Sequence, residues 1–357
     1  VKDWIDMQRV RRSAKSNKNY MGVCVCMLII LLFLLGVTLW NLRYMWQKDG
    51  EYGTYQNCYI TECESDAITI LAGDQTKVYK TRNLQEDISN TFADIVVENG
   101  YITKVYAKED KIRGKVTAVD DTSITIENYG TISLTEDFVV YKNFGTLGKA
   151  EKQQILVGYD VTWFYLEQDR ICGAVILEDA NADTIRVLIS NSDYTGYDHN
   201  AVTITCSESY IVTKGKEKQT CKKKEELKIT ADMIDEAGGE VAIVSSSETK
   251  PIRITTLTRG YGTPSYYGKL YITKGESGMR IINELPLEKY LYYVVPSEMP
   301  ASYGLEALKV QAVCARTFGY RAILDNAYGS YGAHVDDSIS CQVYNNAKPT
   351  KEVKQAV

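Results

Sequence analysis

The sequence predicts an α+β protein built in successive parts, and three observations carry that prediction. A long apolar run lies near the N-terminus. Short alternating runs broken by turns follow it. Beyond residue 302 the apolar spacing changes to that of a helix. The 357 residues are 45% hydrophobic and 24% charged, an ordinary globular composition with room for more than one domain. A net charge of −5 argues against nucleic-acid binding.

The first 20 residues carry Lys2, Arg9, Arg11, Arg12, Lys15 and Lys18 against only Asp3 and Asp6. The run YMGVCVCMLIILLFLLGVTLW follows, with Thr38 its one polar interruption after the opening tyrosine. Roughly 20 such residues cross a bilayer as a helix. A basic flank on the N-terminal side predicts an uncleaved single-pass anchor, N-terminus cytoplasmic and the bulk of the chain extracytoplasmic. LGVTLWNL offers a poor cleavage site, which disfavours a signal peptide.

The expected order is a basic tail at 1–20, a transmembrane helix at 21–42 and a polar stalk at 43–66. A small β-rich accessory domain at 67–178 comes next, then a C-terminal domain at 182–357. AITILAG, ADIVVENGYITKVYAK and KVTAVDDTSITIENYG read as strands and hairpins, and the period-two alternation of TSITIE marks a half-buried strand. The accessory region contains no cluster of His, Asp or Cys that suggests catalysis, and a barrel is one arrangement it fits. Strands resume at TIRVLIS, AVTITC, EVAIVS, YYGKLYITK and GMRIINEL. The lysine run at 222–224 fits a solvated loop better than a binding patch.

From Ser302 onward Leu305, Leu308, Ala312, Ala315, Gly319 and Ala322 recur at spacings of three and four. That predicts a helix to about Asp325 with Ser302 as its N-cap. Of nine cysteines, Cys24 and Cys26 lie in the apolar run. Cys58 with Cys63 and Cys206 with Cys221 are spaced to pair, and Cys314 reads as core.

The chemistry concentrates in VVPSEMPASYGLEALKVQAVCARTFGYRA, residues 294–322. Pro296 and Pro300 stiffen the chain on either side of Glu298. The pattern sets Glu298 on a strand-to-helix connection close to a helix N-terminus. From the residues alone two roles stand open, a capping charge or a general acid. Gln311, Arg316 and Thr317 are polar positions on an otherwise small and apolar helix. Arg316 is suited either to holding substrate through its donor fork or to a salt bridge with Glu284 or Glu288. Tyr290, Tyr292 and Tyr293 precede the motif, and a tyrosine in a groove can stack on a sugar ring. His334 and Cys341 suggest metal, yet two ligands do not make a site, and the other histidine, His199, lies far upstream.

The run INELPLEKYLYYVVPSEMPASYGLEALKVQAVCARTFGYRA resembles the SpoIID/LytB family, the stage II sporulation protein D and amidase-enhancer group. The resemblance extends from TIRVLISNSDY through YYGKLYITKG to SCQVYNN, roughly 182–357. It implies a SpoIID-like catalytic domain and a membrane-anchored lytic transglycosylase. Such an enzyme cleaves MurNAc–GlcNAc bonds in peptide-free glycan strands and leaves 1,6-anhydroMurNAc ends. The resemblance also implies a role in sporulation and engulfment, beside a cell-wall amidase and other membrane-anchored wall-remodelling proteins. Carried onto this sequence, Glu298 becomes the acid/base and Arg316 its supporter, with Gln311, Tyr290 and Thr317 as substrate-binding positions. One carboxylate suffices if the muramic C6 hydroxyl is the nucleophile, while Asp336 or Glu288 would serve a hydrolase. Some sporulation-type members resemble zinc proteins; here only His334 and Cys341 are candidates, and no cofactor is expected. The chain stops at YNNAKPTKEVKQAV, where the family continues with a further strand-and-loop region, so the domain is expected to be C-terminally incomplete. The alternative reading is a non-catalytic wall-binding or amidase-enhancing protein.

Overall fold

The computed structural model describes residues 52–82 and 87–357. Two small barrels come first. The first is built from β1 (Gly53–Cys63), β2 (Ala67–Ala72), β3 (Gln75–Lys80), β4 (Thr91–Glu98) and β5 (Tyr101–Ala107). It closes in the order β1-β2-β3-β5-β4. Every pairing is antiparallel except that of β3 with β5, which is parallel. Alternate residues Ile68, Ile70, Ile95 and Val97 fill its interior.

The second barrel uses β6 (Lys111–Arg113), β7 (Val116–Val119), β8 (Ser123–Ile126), β9 (Gly130–Lys142), β10 (Gly148–Ala150), β11 (Thr162–Glu167) and β12 (Arg170–Ile176). Its strand order is β6-β11-β12-β9-β8-β7, with β10 added beside β9. Because β6 and β7 are consecutive pieces of one bent run, this is the same circuit as in the first barrel. Again the central third-to-fifth pairing, β9 with β12, is parallel. The sequences echo each other at matching places. ITI recurs in β2 at 68–70 and in β8 at 124–126. Glu98 and Glu167 each precede a two-residue turn with both φ positive, Asn99–Gly100 and Gln168–Asp169. Such turns match the twist of a hairpin.

The barrels meet through Tyr59, Leu71 and Phe92 of the first and Tyr141, Tyr165 and Cys172 of the second. Phe92 stacks on Tyr165 at 4.7 Å. Gly173 permits this approach, since a Cβ there would stand 2.0 Å from the Phe92 ring.

The C-terminal domain begins with β13 (Thr184–Ile189), β14 (Val202–Cys206), β15 (Tyr210–Lys214), β16 (Glu217–Cys221) and β17 (Leu227–Ile229). Helix α1 (Ala231–Glu236) follows, then β18 (Glu240–Ser245), β19 (Ile252–Ile254), β20 (Ser265–Tyr266), β21 (Lys269–Lys274) and β22 (Met279–Pro286). The chain continues through α2 (Leu287–Glu298), α3 (Leu305–Asp325), β23 (Val335–Asp336) and α4 (Lys351–Ala356). A seven-stranded sheet runs β16-β15-β18-β21-β22-β13-β23, and a four-stranded one runs β17-β14-β19-β20. Helix α3 buries Leu308, Ala312, Ala315, Gly319 and Ile323. Gly319 lets it close on Leu287 of α2.

The second barrel is stitched to this domain by polar contacts. Glu284 accepts from Lys115 Nζ at 2.5 Å and from Arg186 Nη1 at 2.8 Å. Tyr159 donates to the Thr184 carbonyl at 3.0 Å, and Asn326 donates to the Ile155 carbonyl at 3.0 Å.

Several expectations are corrected. Among the described residues no helix is long and apolar enough to cross a membrane. The expected architecture with a membrane helix, and the single-pass placement drawn from it, find no support there; the segments assigned to tail and helix, 1–20 and 21–42, lie outside the described residues. The stalk expected to reach residue 66 contains β1 from Gly53. The accessory region is two barrel-like units rather than one module, because each set of strands completes the same circuit within itself, the first as a closed barrel and the second as a sheet whose end strands β6 and β7 are consecutive in the chain. All seven described cysteines are thiols. Cys58 and Cys63 sit five residues apart on one strand, about 16 Å by strand rise and too far for a disulfide. Cys206 and Cys221 belong to different sheets. Cys314 is exposed rather than core, since it falls on the outer face of α3.

Candidate functional site

Glu298 is the last residue of α2, not a strand-to-helix link. The helix passes through Pro296, near its end, where few backbone bonds remain to lose. Burial of Val294 and Val295 outweighs the bias of a pre-proline residue against helix. Glu298 therefore faces the negative end of a helix dipole, the reverse of the expected helix N-terminus. The N–H of Val343, 2.6 Å from Glu298 Oε1, offsets this with a charge-assisted bond. The carboxylate is exposed.

A segment that sequence reasoning passed over holds the site. Residues 343–347 are fastened along the end of α2. Ser297 Oγ donates to the Tyr293 carbonyl at 2.6 Å and accepts from the N–H groups of Asn346 and Ala347 at 3.2 and 3.1 Å. Asn346 Oδ1 accepts from Gly260 N–H at 2.7 Å. Tyr344 is buried, donates to Asn283 Oδ1 at 2.8 Å and packs its ring 5.0 Å from Tyr290. The quoted motif SCQVYNN, residues 340–346, contains all of this segment but Ala347, and nothing in its composition marks the pairing with Ser297.

The other expected site residues lie elsewhere. Arg316 donates through Nε and Nη2 to the two oxygens of Glu288, both at 2.7 Å. The hydrogen bonds from Arg316 hold the Glu288 carboxyl below its usual range. Glu288 lies in the first turn of α2 and Glu298 ends it, so they stand about 15 Å apart along the axis. Arg316 thus takes the salt-bridge role and does not reach the Glu298 carboxylate from its place on Glu288. Tyr290 is completely buried, donates to Gln342 Oε1 at 3.3 Å and belongs to the core, which corrects the expectation that it contacts sugar. Thr317 is exposed but returns its hydroxyl to the Val313 carbonyl at 2.9 Å. Gln311 is half-buried on α3. The expected N-cap Ser302 lies in a short 3-10 turn, and Gly304 at φ +90° takes the cap position instead. Asp336 accepts from Tyr197 at 2.9 Å and from Ser338, so it too is committed.

His334 is a staple. Arg186 N–H donates to its Nδ1 at 3.0 Å, which fixes the proton on Nε2, and Nε2 donates to the Val157 carbonyl at 2.9 Å. Both ring nitrogens are spent, so the residues do not fit a metal here. Burial lowers the His334 pKa to about 3. An unfolded histidine takes a proton near pH ~6.5, so between those values the unfolded state holds the extra proton and gains as pH falls. Thermal stability is therefore expected to decline as pH drops below about 6.5. His334→Gln should flatten that decline between pH ~7 and ~5. Parallel melting profiles for the two proteins would contradict the assignment.

The model of the Stage II sporulation protein family, SpoIID, matches residues 275–357, the stretch that contains α2, α3 and the fastened segment. The Stage II sporulation protein D of Bacillus subtilis is 42% identical over 73 residues. Residues 275–357 are thus similar to the SpoIID family. That alignment covers 20% of this chain and 21% of the relative. The Stage II sporulation protein D of Bacillus amyloliquefaciens is 41% identical over the same length, with the same coverage. An uncharacterised protein of Brachyspira hyodysenteriae is 42% identical over 93 residues, 26% of this chain and 25% of that one. The SpoIID similarity thus spans about a quarter or less of each relative. No solved structure matches the chain.

Proposed function

We propose that the protein is a peptidoglycan-directed SpoIID relative that binds wall glycan and assists a cell-wall amidase. The carrying observation is the isolation of Glu298. Its carboxylate is exposed, while Arg316, Glu288 and Asp336 are each committed to other partners. A rigid edge of exposed and backbone polar groups suits recognition more readily than bond cleavage. The names of the two Bacillus relatives support a place in sporulation. The test is peptide release from purified sacculi by an amidase, with and without this chain. The expected result is a faster release that survives Glu298→Gln. An unchanged amidase rate overturns the reading.

One observation favours a second reading, a lytic transglycosylase. Glu298 is held at Oε1 by the Val343 amide, which fixes the carboxyl in place at the surface. Protonated, it would donate to the oxygen between MurNAc and GlcNAc. The muramic C6 hydroxyl would attack C1, break that bond and lose its proton to the carboxylate, closing a 1,6-anhydro ring. Mass analysis of products from peptide-free strands decides this. Anhydro ends that vanish with Glu298→Gln would establish the chemistry.

A further inference from the structure

We infer that the second barrel carries a saccharide-binding cleft that grips the glycan strand away from Glu298. Both barrels follow the circuit of the OB-fold, in which the first strand pairs with the second and the fourth, and the third lies parallel to the fifth. That architecture binds oligonucleotides and oligosaccharides on the face of its second and third strands, between the loops that join strands one to two and four to five. A fold does not specify a ligand, so the argument rests on what occupies that face.

In the second barrel a cleft of about 500 Å³ lies there. Its floor is β9. Asp121 comes from the β7–β8 loop, and Arg170 follows directly on the β11–β12 turn. Lys152 closes one end and donates to the Asp121 carbonyl at 2.9 Å. Arg170 Nη2 donates to the Leu134 carbonyl. Thr135 lines the cleft, and its hydroxyl is buried with no hydrogen-bond partner among the described residues. Glu136 and the half-buried ring of Phe138 complete the lining.

The chemistry of this lining selects among OB-fold ligands. Two carboxylates balance two cations, so the cleft does not favour a polyanion. Acidic residues outnumber basic ones across 111–176, which further disfavours nucleic acid. Paired charges and hydroxyls around one aromatic face suit a neutral polyhydroxyl chain, whose hydroxyls both donate and accept and whose ring faces are apolar. A buried hydroxyl without a partner costs stability unless a ligand satisfies it. The ordered junction through Lys115, Glu284 and His334 would hold this cleft at a fixed span from the SpoIID domain.

This inference deepens the wall-directed reading and rests on it, so the test separates the two. All proteins are the full chain carrying Glu298→Gln, so that no strand is cut. The probe is the hexamer of N-acetylglucosamine, with a thymidylate decamer as the counter-probe, and binding is measured by calorimetry. Thr135→Val replaces the hydroxyl with a methyl group of similar size, so folding should hold or improve while hexamer binding weakens about 3- to 10-fold. Glu136→Gln should weaken it as well. Hexamer binding that both variants leave unchanged overturns the cleft. So does binding of the decamer in preference to the hexamer. If the hexamer does not bind while amidase stimulation persists, the cleft falls and the wall-directed reading stands. If stimulation is also absent, both fall.

Discussion

Glu284→Ala is expected to cost about 3–5 kcal/mol and to loosen the second barrel from the SpoIID domain. The carboxylate is shared by Lys115 from the barrel and Arg186 from β13, and Tyr271 donates to it as well. Arg186 is wholly buried, and its Nη2 has no hydrogen-bond partner among the described residues. Removing the anion would leave two desolvated cations close together, one on each side of the junction. Chemical denaturation reads the loss. A second substitution, Lys115→Met, should recover part of it, since fewer buried charges are then left alone. Acid should act on the same contact. Burial pushes the Glu284 carboxyl up, but Arg186 and Lys115 outweigh it and hold it below the usual range. The stability it supplies is present above the unfolded carboxyl value, about 4.3, and is lost as pH falls through the lower folded one.

Asp337→Ala is expected to cost a similar 3–5 kcal/mol, for a reason that bears on the site. Asp337 is buried and accepts from Arg259 Nη2 at 2.5 Å, from Arg259 Nε at 3.1 Å and from Ser190 N–H at 2.8 Å. Arg259 in turn donates to the Ser190 carbonyl at 2.6 Å. The pair fixes the start of the segment that ends on Glu298 through the Val343 amide, and the Tyr344 N–H returns to the Asp337 carbonyl at 3.3 Å. Loss of the carboxylate strands a buried guanidinium and frees residues 338–347. Limited proteolysis should then cut within that segment, where the parent protein resists. Unaltered cleavage there would show that Ser297 alone is enough to hold it.

Much of the fold is written in local patterns. The period-two run TSITIE is β8 and its turn, and the three–four spacing of Leu308, Ala312, Ala315 and Gly319 is the buried face of α3. What is not local was not legible. The closures that make two barrels, β3 on β5 and β9 on β12, join strands far apart in sequence, and parallel pairing leaves no turn signature. The repeated ITI and the glutamates before matching turns, Glu98 and Glu167, are the local signs of the duplication. Pro296 and Pro300 placed Glu298 on a strand-to-helix connection because their effect is local, whereas the burial of Val294 and Val295 that outweighs it is tertiary. Tyr290 looked like a sugar platform for the same reason, since a tyrosine in sequence does not say which side of the core it faces. The Arg316–Glu288 pair was foreseeable as one of two partners, and only the helix packing selects it.

The most direct test of the account is co-sedimentation of the chain with purified, peptide-free glycan. The account predicts that the protein and its Glu298→Gln variant both pellet with the glycan, and that soluble N-acetylglucosamine hexamer releases them. Protein that stays in the supernatant at every glycan concentration would contradict it.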